Sequence, residues 1–219
     1  MKNAYDWNVY LVTDSNLAGD RSLLEICSTA IRGGISVIQL REKNLDSRSF
    51  YEKGLMLRNH LRQYGIPLIV NDRIDIAMAI DADGVHLGQS DMPVRAARRL
   101  LGDEKIIGWS LNHPDHVNSE EAMLADYLAV SPVFFTSTKS DITVPWGLEG
   151  ITYTRRLTDK PLVAIGGITE YNISDVIFAG ADSAAVVSAI VTADDPEDAT
   201  RQLTHRVIQS KLSLTKVTK

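Results

Sequence analysis

Chemistry first suggests itself in the run Gln39-Leu-Arg-Glu-Lys43, where polar residues alternate. In an extended segment alternate residues share a face, so Gln39, Arg41 and Lys43 point one way and Leu40 and Glu42 the other. Two cations and an amide on one side are costly to bury unless an anion meets them, and a phosphorylated ligand would do so. A salt-bridge network with Glu42 and nearby aspartates is the competing explanation. Lys139, after Thr136 and Thr138, supplies another cation. Asp72 and Asp91 are the candidate metal ligands. Hard oxygen donors, few in number and without clustered Cys or His, suit Mg²⁺, which keeps waters and binds substrate phosphate. Helix capping competes for both, most plainly for Asp91, which precedes Met92 and Pro93. Gly166-Gly167 would let a ligand approach the backbone amides closely, and Ser188 could add a hydroxyl beside a helix amino terminus. No Ser-His-Asp or Cys-His constellation accompanies these groups. Cys27, the one cysteine, lies in an apolar periodic stretch and reads as a core thiol. His113 and His116 lack the further ligands that zinc requires.

The elements that must position these residues alternate along the whole chain. Short β-branched apolar runs fall at 9–13, 36–40, 67–70, 84–87, 105–109, 127–131, 161–165 and 184–187. Each is followed by a stretch with apolar residues at three- and four-residue spacing, such as Leu57 and Leu61, or Val94, Ala97 and Leu101. Strands that are apolar throughout, each followed by a helix, imply a parallel sheet with its outer face covered. Repetition to this number favours closure into a single-domain (β/α)₈ TIM barrel. The rival is an open doubly wound sheet, but its glycine-rich first turn is missing, since Thr13 is followed by Asp14, Ser15 and Asn16. In such a barrel the loops after the strands carry the chemistry, and the candidate polar groups lie at or beyond the ends of strand runs. The barrel is expected over residues 1–209, with 210–219 as a polar, flexible tail.

At 219 residues the chain can bury about 70% of its unfolded surface and needs no disulfide. Its net charge of −5, with both signs interspersed, gives no footprint for nucleic acid or an anionic membrane. The amino-terminal residues lack the apolar core of a signal peptide, and no apolar run approaches the ~18 residues of a membrane span. A cytoplasmic enzyme is expected. Its partners would be small-molecule substrates, with neither nucleic acid nor membrane among them, and a homo-oligomer is allowed.

Over nearly its full length the sequence resembles the thiamine phosphate synthase family. The blocks that carry the resemblance are Tyr10-Leu-Val-Thr-Asp14, Gln39-Leu-Arg-Glu-Lys43, Asn71-Asp-Arg73 and Asp83-Gly-Val-His-Leu-Gly-Gln89 with Asp91. They continue with Ser131-Pro-Val-Phe134, Thr136-Ser-Thr-Lys139, Ala164-Ile-Gly-Gly-Ile168 and Val187-Ser-Ala-Ile190. The resemblance implies a transferase that joins a hydroxymethylpyrimidine diphosphate to a (carboxy)thiazole phosphate, releasing diphosphate with the help of Mg²⁺. It implies that Gln39, Arg41, Lys43, Asn71, Ser110 and Lys139 hold the pyrimidine diphosphate. Among these, Arg41, Lys43, Ser110 and Lys139 would be catalytic, stabilising the leaving group. Thr136, Ser137, Thr138, Gly167, Val187 and Ser188 would hold the thiazole phosphate, and Asp72 and Asp91 the metal. The chain departs from the family pattern at Leu111, Asn112, Ser131, Phe135 and Ser183. A thiazole tautomerase-like barrel and a non-catalytic barrel that binds thiamine precursors are the alternatives. The complete charged set argues against both.

Overall fold

The structure is a computed structural model, described here for residues 7–136 and 144–217. Eight parallel strands close on one another in chain order, β1 (Val9–Val12), β2 (Val37–Leu40), β3 (Leu68–Asn71), β4 (Gly84–Leu87), β5 (Ile106–Leu111), β6 (Tyr127–Val130), β7 (Leu162–Ile165) and β8 (Ser183–Val186). β8 pairs back onto β1 through Tyr10 and Ala185, which completes the (β/α)₈ barrel. Every expected strand is present, with ends shifted by no more than two residues and β4 matching as expected.

The period of two decides which residue goes where. Outward-facing Leu11, Ile38, Val70, Val85 and Leu128 pack under the helices in one large apolar layer. Inward-facing Tyr10, Val37, Ile69, Ile106, Tyr127 and Val163 form a second cluster inside the barrel, with Trp7 closing its lower end. The covering helices are α1 (Leu23–Arg32), α2 (Ser47–Arg62), α3 (Ile74–Ala79), α4 (Val94–Leu101), α5 (Glu120–Leu124), α6 (Gly147–Leu157), α7 (Ile173–Phe178), α8 (Ser188–Val191) and α9 (Pro196–Val217). A 3₁₀ turn, Pro114–Asn118, precedes α5. α2 shows the logic. Asp46 caps its first turn through the Ser49 amide, and Phe50, Leu57 and Leu61 are buried on one face. Each of these apolar side chains contributes about 1.5–3 kcal/mol by leaving water. Cys27 is fully buried on the inner face of α1, where burial pushes its thiol up to about 12.

The end of the barrel below the strands is built for stability. An aspartate preceding each of β4, β6 and β8 accepts the amide of the neighbouring strand: Asp83 from Leu68, Asp126 from Ile107 and Asp182 from Leu162. Ser36 does the same for Asn8 ahead of β2. Asp81 adds a tie at this end, accepting from Arg58, Arg62 and Lys105.

α9 runs past the expected boundary at Gln209. Ser210 is buried, and the Lys211 ammonium donates to the Trp7 carbonyl and to Asn8 Oδ1. Residues 210–217, expected to be a flexible tail, continue the helix, and Lys211 reaches the bottom of the barrel.

Candidate active site

Above the inner apolar cluster the barrel opens into a cavity of about 430 Å³ with lining residues from every strand. Its polar groups follow from the inward register, because Gln39, Asn71 and Ser110 each lie an even number of positions from an inward apolar residue of their own strand, and His86 stands opposite Asn71 in the pairing of β3 with β4. The cavity floor is aromatic. Tyr10 and Tyr127 stand edge to face at 6.2 Å, and Trp7 meets each edge-on from below. Burial, opposed in part by hydrogen bonds with Tyr127 and Gln39, raises the Tyr10 hydroxyl well above the ordinary phenol range, so it stays protonated.

One side of the mouth is charged. Arg41 and Lys43 turn into the cavity, whereas Glu42 turns away to accept from Ser15 and Lys53. The alternation expected of this run thus persists beyond the end of β2. The Arg41 backbone amide is anchored on Thr13 Oγ1 at 3.0 Å, and its guanidinium lies 3.5 Å from Asp14. Lys43 Nζ is 2.5 Å from Asp72 Oδ2. Asp72 has a positive φ of 61°, a conformation uncommon for a residue with a Cβ and frequent at functional sites. Its carboxyl group also interacts with that of Asp91. Burial works to raise the Asp72 carboxyl, but Lys43, Asp91 and the nearby His86 outweigh it and hold Asp72 below the usual carboxylate range. Asp91 is raised, chiefly by burial and further by Asp72, against the hydrogen bond it accepts from Gly88. A divalent cation held between the two carboxyls would favour the ionised form of both.

Asp91 is not the cap its sequence context suggests. Pro93 occupies the N-cap position of α4 with no side-chain hydrogen bond, and Asp91 Oδ2 accepts the Gly88 amide at 2.6 Å instead. Arg73, next to the pair, leaves the mouth for Asp75 and Ser47.

The opposite side of the mouth is backbone. Gly166 and Gly167 have positive φ, and the chain after β6 lies directly on them, with Val133 N donating to the Ile165 carbonyl and Phe134 N to that of Gly166. A Cβ on Gly167 would sit 2.6 Å from the Phe135 carbonyl oxygen and 2.8 Å from Phe134 Cβ. Gly167, Thr136, Val187 and Ser188, the first residue of α8, all line the cavity. Ser137, Thr138 and Lys139 lie outside the described residues.

The profile of the family described as thiamine monophosphate synthase matches residues 9–190. The chain is 53% identical to the thiamine-phosphate synthase of Albidiferax ferrireducens over 86% of each chain. It is 52% identical to that of Syntrophomonas wolfei over 90% of this chain and 95% of the relative. This chain belongs to the thiamine monophosphate synthase family. The solved thiamine phosphate pyrophosphorylase of Pyrococcus furiosus has the same barrel, with a TM-score of 0.86 and 36% identity over 94% of this chain and 98% of that one. A 3-hexulose-6-phosphate synthase, at 19% identity and TM-score 0.63, shares the fold alone. Neither a tautomerase nor a silent barrel draws support from these relatives.

Within the family frame, the departures fall clear of the charged groups. Leu111 packs outward in the buried layer, and Ser183, at the start of β8, donates to the Asn8 carbonyl below the barrel. Ser131 and Asn112 line the cavity, as does Phe135, which is 71% exposed. The sequence does not single out the two floor tyrosines. Tyr10 and Tyr127 lie in apolar strand runs and look like core, yet the period of two that singled out Gln39 also places them inside.

Proposed function

We propose that the chain is a thiamine-phosphate synthase that transfers a pyrimidinylmethyl group from its diphosphate ester to the ring nitrogen of a thiazole phosphate. The observation that carries this reading is one cavity with two unlike anion faces. Arg41 and Lys43 with the Asp72–Asp91 pair stand on one side, and the neutral Gly166-Gly167 backbone with Ser188 on the other. A diphosphate needs concentrated charge, whereas a phosphate monoester is well served by amides and hydroxyls.

In this reading Gln39, Asn71 and the tyrosine floor hold the aminopyrimidine with its exocyclic methylene facing the mouth. Arg41, Lys43, Ser110 and Lys139 take up the charge that builds on the diphosphate as the C–O bond breaks. Thr136, Ser137, Thr138, Gly167, Val187 and Ser188 seat the thiazole phosphate so that the ring nitrogen faces the same carbon. Catalysis here is alignment plus preorganised charge, and it calls for no side-chain nucleophile. Asp72 and Asp91 would hold Mg²⁺. Among the described residues no group of three or more His, Cys, Asp or Glu side chains is placed to bind a metal. Two carboxylates suit an ion that completes its shell with water and phosphate oxygens. Bound there, Mg²⁺ would supply positive charge to the departing diphosphate. The substrates are small molecules and the setting is the cytoplasm; no helix among the described residues is long and apolar enough to cross a membrane.

Asp72→Asn and Asp91→Asn test the assignment, since an amide keeps the side-chain volume but binds Mg²⁺ poorly. Each variant should lose most turnover at limiting Mg²⁺ and should bind Mn²⁺ more weakly by electron paramagnetic resonance in the presence of diphosphate. Wild-type Mn²⁺ binding and turnover in either variant would remove that residue from the metal site.

A further inference from the structure

Four hydrogen bonds join the floor of the cavity to its mouth. Gln39 Nε2 lies 2.8 Å from the Tyr10 hydroxyl, which is 3.0 Å from that of Tyr127. The Tyr127 hydroxyl is 2.9 Å from His86 Nδ1, and His86 Nε2 is 2.8 Å from Ser110 Oγ. We infer that this chain runs one way, holds His86 as its Nε2–H tautomer and so aims the Ser110 hydroxyl as a donor toward the bound anion, with Tyr10, Tyr127 and His86 as positioning residues. The inference rests on the proposed function for the identity of that anion, the substrate's diphosphate.

Counting protons fixes the direction. An amide nitrogen can only donate, so Tyr10 accepts from Gln39 and has a single proton left, which goes to Tyr127. Tyr127 then directs its own proton to His86 Nδ1, which must be bare to accept it. A neutral imidazole with a bare Nδ1 carries its hydrogen on Nε2, and that hydrogen goes to Ser110 Oγ. Ser110 accepts one bond and retains a proton for the cavity. Reversing a single link would leave two hydrogens or two lone pairs facing each other, and both tyrosines are at most 1% exposed, where an unmet group is expensive. Reversing all of them requires Gln39 to present its oxygen to Tyr10. Ser110 would then donate inward to His86 and offer the anion only lone pairs.

The surroundings suit a fixed chain. Gly108 of β5 stands beside His86 in the register of β4 and beside Tyr127 in that of β6. A Cβ there would fall 2.0 Å from Tyr127 Cζ and 2.3 Å from its hydroxyl, so the phenol reaches the histidine only because residue 108 has no side chain. The His86 ring stacks on Tyr127 at 5.5 Å and 27°. Gln89 holds the Ser110 carbonyl at 2.7 Å, leaving the serine hydroxyl as the part still to be oriented.

The test begins with the ligand-free, full-length protein labelled with ¹⁵N-histidine. Long-range proton–nitrogen correlation reads the tautomer directly, with His86 assigned by the signal lost in His86→Gln. The expected form is Nε2–H; a predominant Nδ1–H form would overturn the inference without recourse to any variant. Binding of inorganic diphosphate with Mg²⁺, followed by calorimetry, then tests the link to Ser110. Tyr127→Phe and Ser110→Ala should each weaken binding about tenfold, the scale of one hydrogen bond to a charged group. The double variant should be no worse than Ser110→Ala alone, because Tyr127 acts through Ser110. Losses that add to about a hundredfold would overturn the positioning role. Since the tautomer is read without ligand, an Nδ1–H result refutes the chain, whereas normal diphosphate binding by Ser110→Ala refutes that residue's place in the proposed anion site.

Discussion

Replacing Gly167 by alanine probes the backbone cradle with a single methyl group. Gly167 has φ of +64°, and an added Cβ would lie 2.6 Å from the Phe135 carbonyl oxygen and 2.8 Å from Phe134 Cβ. Two costs follow. A non-glycine residue in the left-handed region costs about 1–2 kcal/mol. Overpacking against backbone that cannot rotate away adds roughly 1–3 kcal/mol. Gly65→Ala separates the two, because Gly65 has a similar φ of +66° but no atom within 4 Å of its Cβ position. That control should lose only about 1 kcal/mol, and Gly167→Ala about 3 kcal/mol, the difference being the contact. Against a typical total of about 5–15 kcal/mol the variant still folds. Urea denaturation measures both values, and steady-state kinetics supplies the functional half. As the loop after β6 is pushed off the glycines, the KM for the thiazole phosphate should rise at least tenfold, while the Kd for the pyrimidine diphosphate stays within about twofold. Equal stability losses in the two variants, or an unchanged thiazole phosphate KM, would refute the cradle.

Further predictions concern charge. Asp81 is held below the usual carboxylate range by hydrogen bonds from Lys105, Arg62 and Arg58. A depressed folded-state value means stability that is fully present above the unfolded carboxyl range, near pH 4, and is lost as pH falls toward the folded value. Asp81→Asn, whose side chain tolerates the φ of 54°, should cost up to about 1 kcal/mol at pH 7 for this largely exposed group and less at high salt. Thermal melts should show that difference shrinking only in strong acid; a constant difference from pH 7 down to 2 would contradict the charge argument. Lys139→Met should lower the single-turnover rate of C–O cleavage on the order of 10²-fold with little change in substrate affinity, as expected of a group whose interaction grows in the transition state. An unchanged rate at saturating substrates would remove Lys139 from catalysis.

The barrel was legible because its strands are buried on both faces and stand out as apolar runs between amphipathic helices. Arg41, Lys43, Asp72 and Asp91 were legible for the opposite reason, as charges just beyond such runs. What stayed hidden depends on contacts between elements distant in sequence. Asp91 looks like a cap from Met92 and Pro93, and only the folding of Gly88 back onto it and the approach of Asp72 give it another partner. The last turns of α9 read as a polar tail, since what ties them to the barrel is Lys211 meeting Trp7 and Asn8 rather than an apolar stripe. Tyr10 and Tyr127 pass for core because their rings are core; only their hydroxyls, 3.0 Å apart, belong to the cavity.

In the proposed reaction this cavity couples loss of diphosphate from one substrate to capture of the same carbon by the other. Incubating the full chain with the pyrimidine diphosphate, the thiazole phosphate and Mg²⁺, and quantifying diphosphate and thiamine phosphate together, tests it most directly. Both products should appear in equimolar amounts, and chelation of Mg²⁺ should abolish them. Binding of both substrates with no diphosphate released, or isomerisation of a thiazole phosphate with the pyrimidine diphosphate untouched, would contradict the coupling.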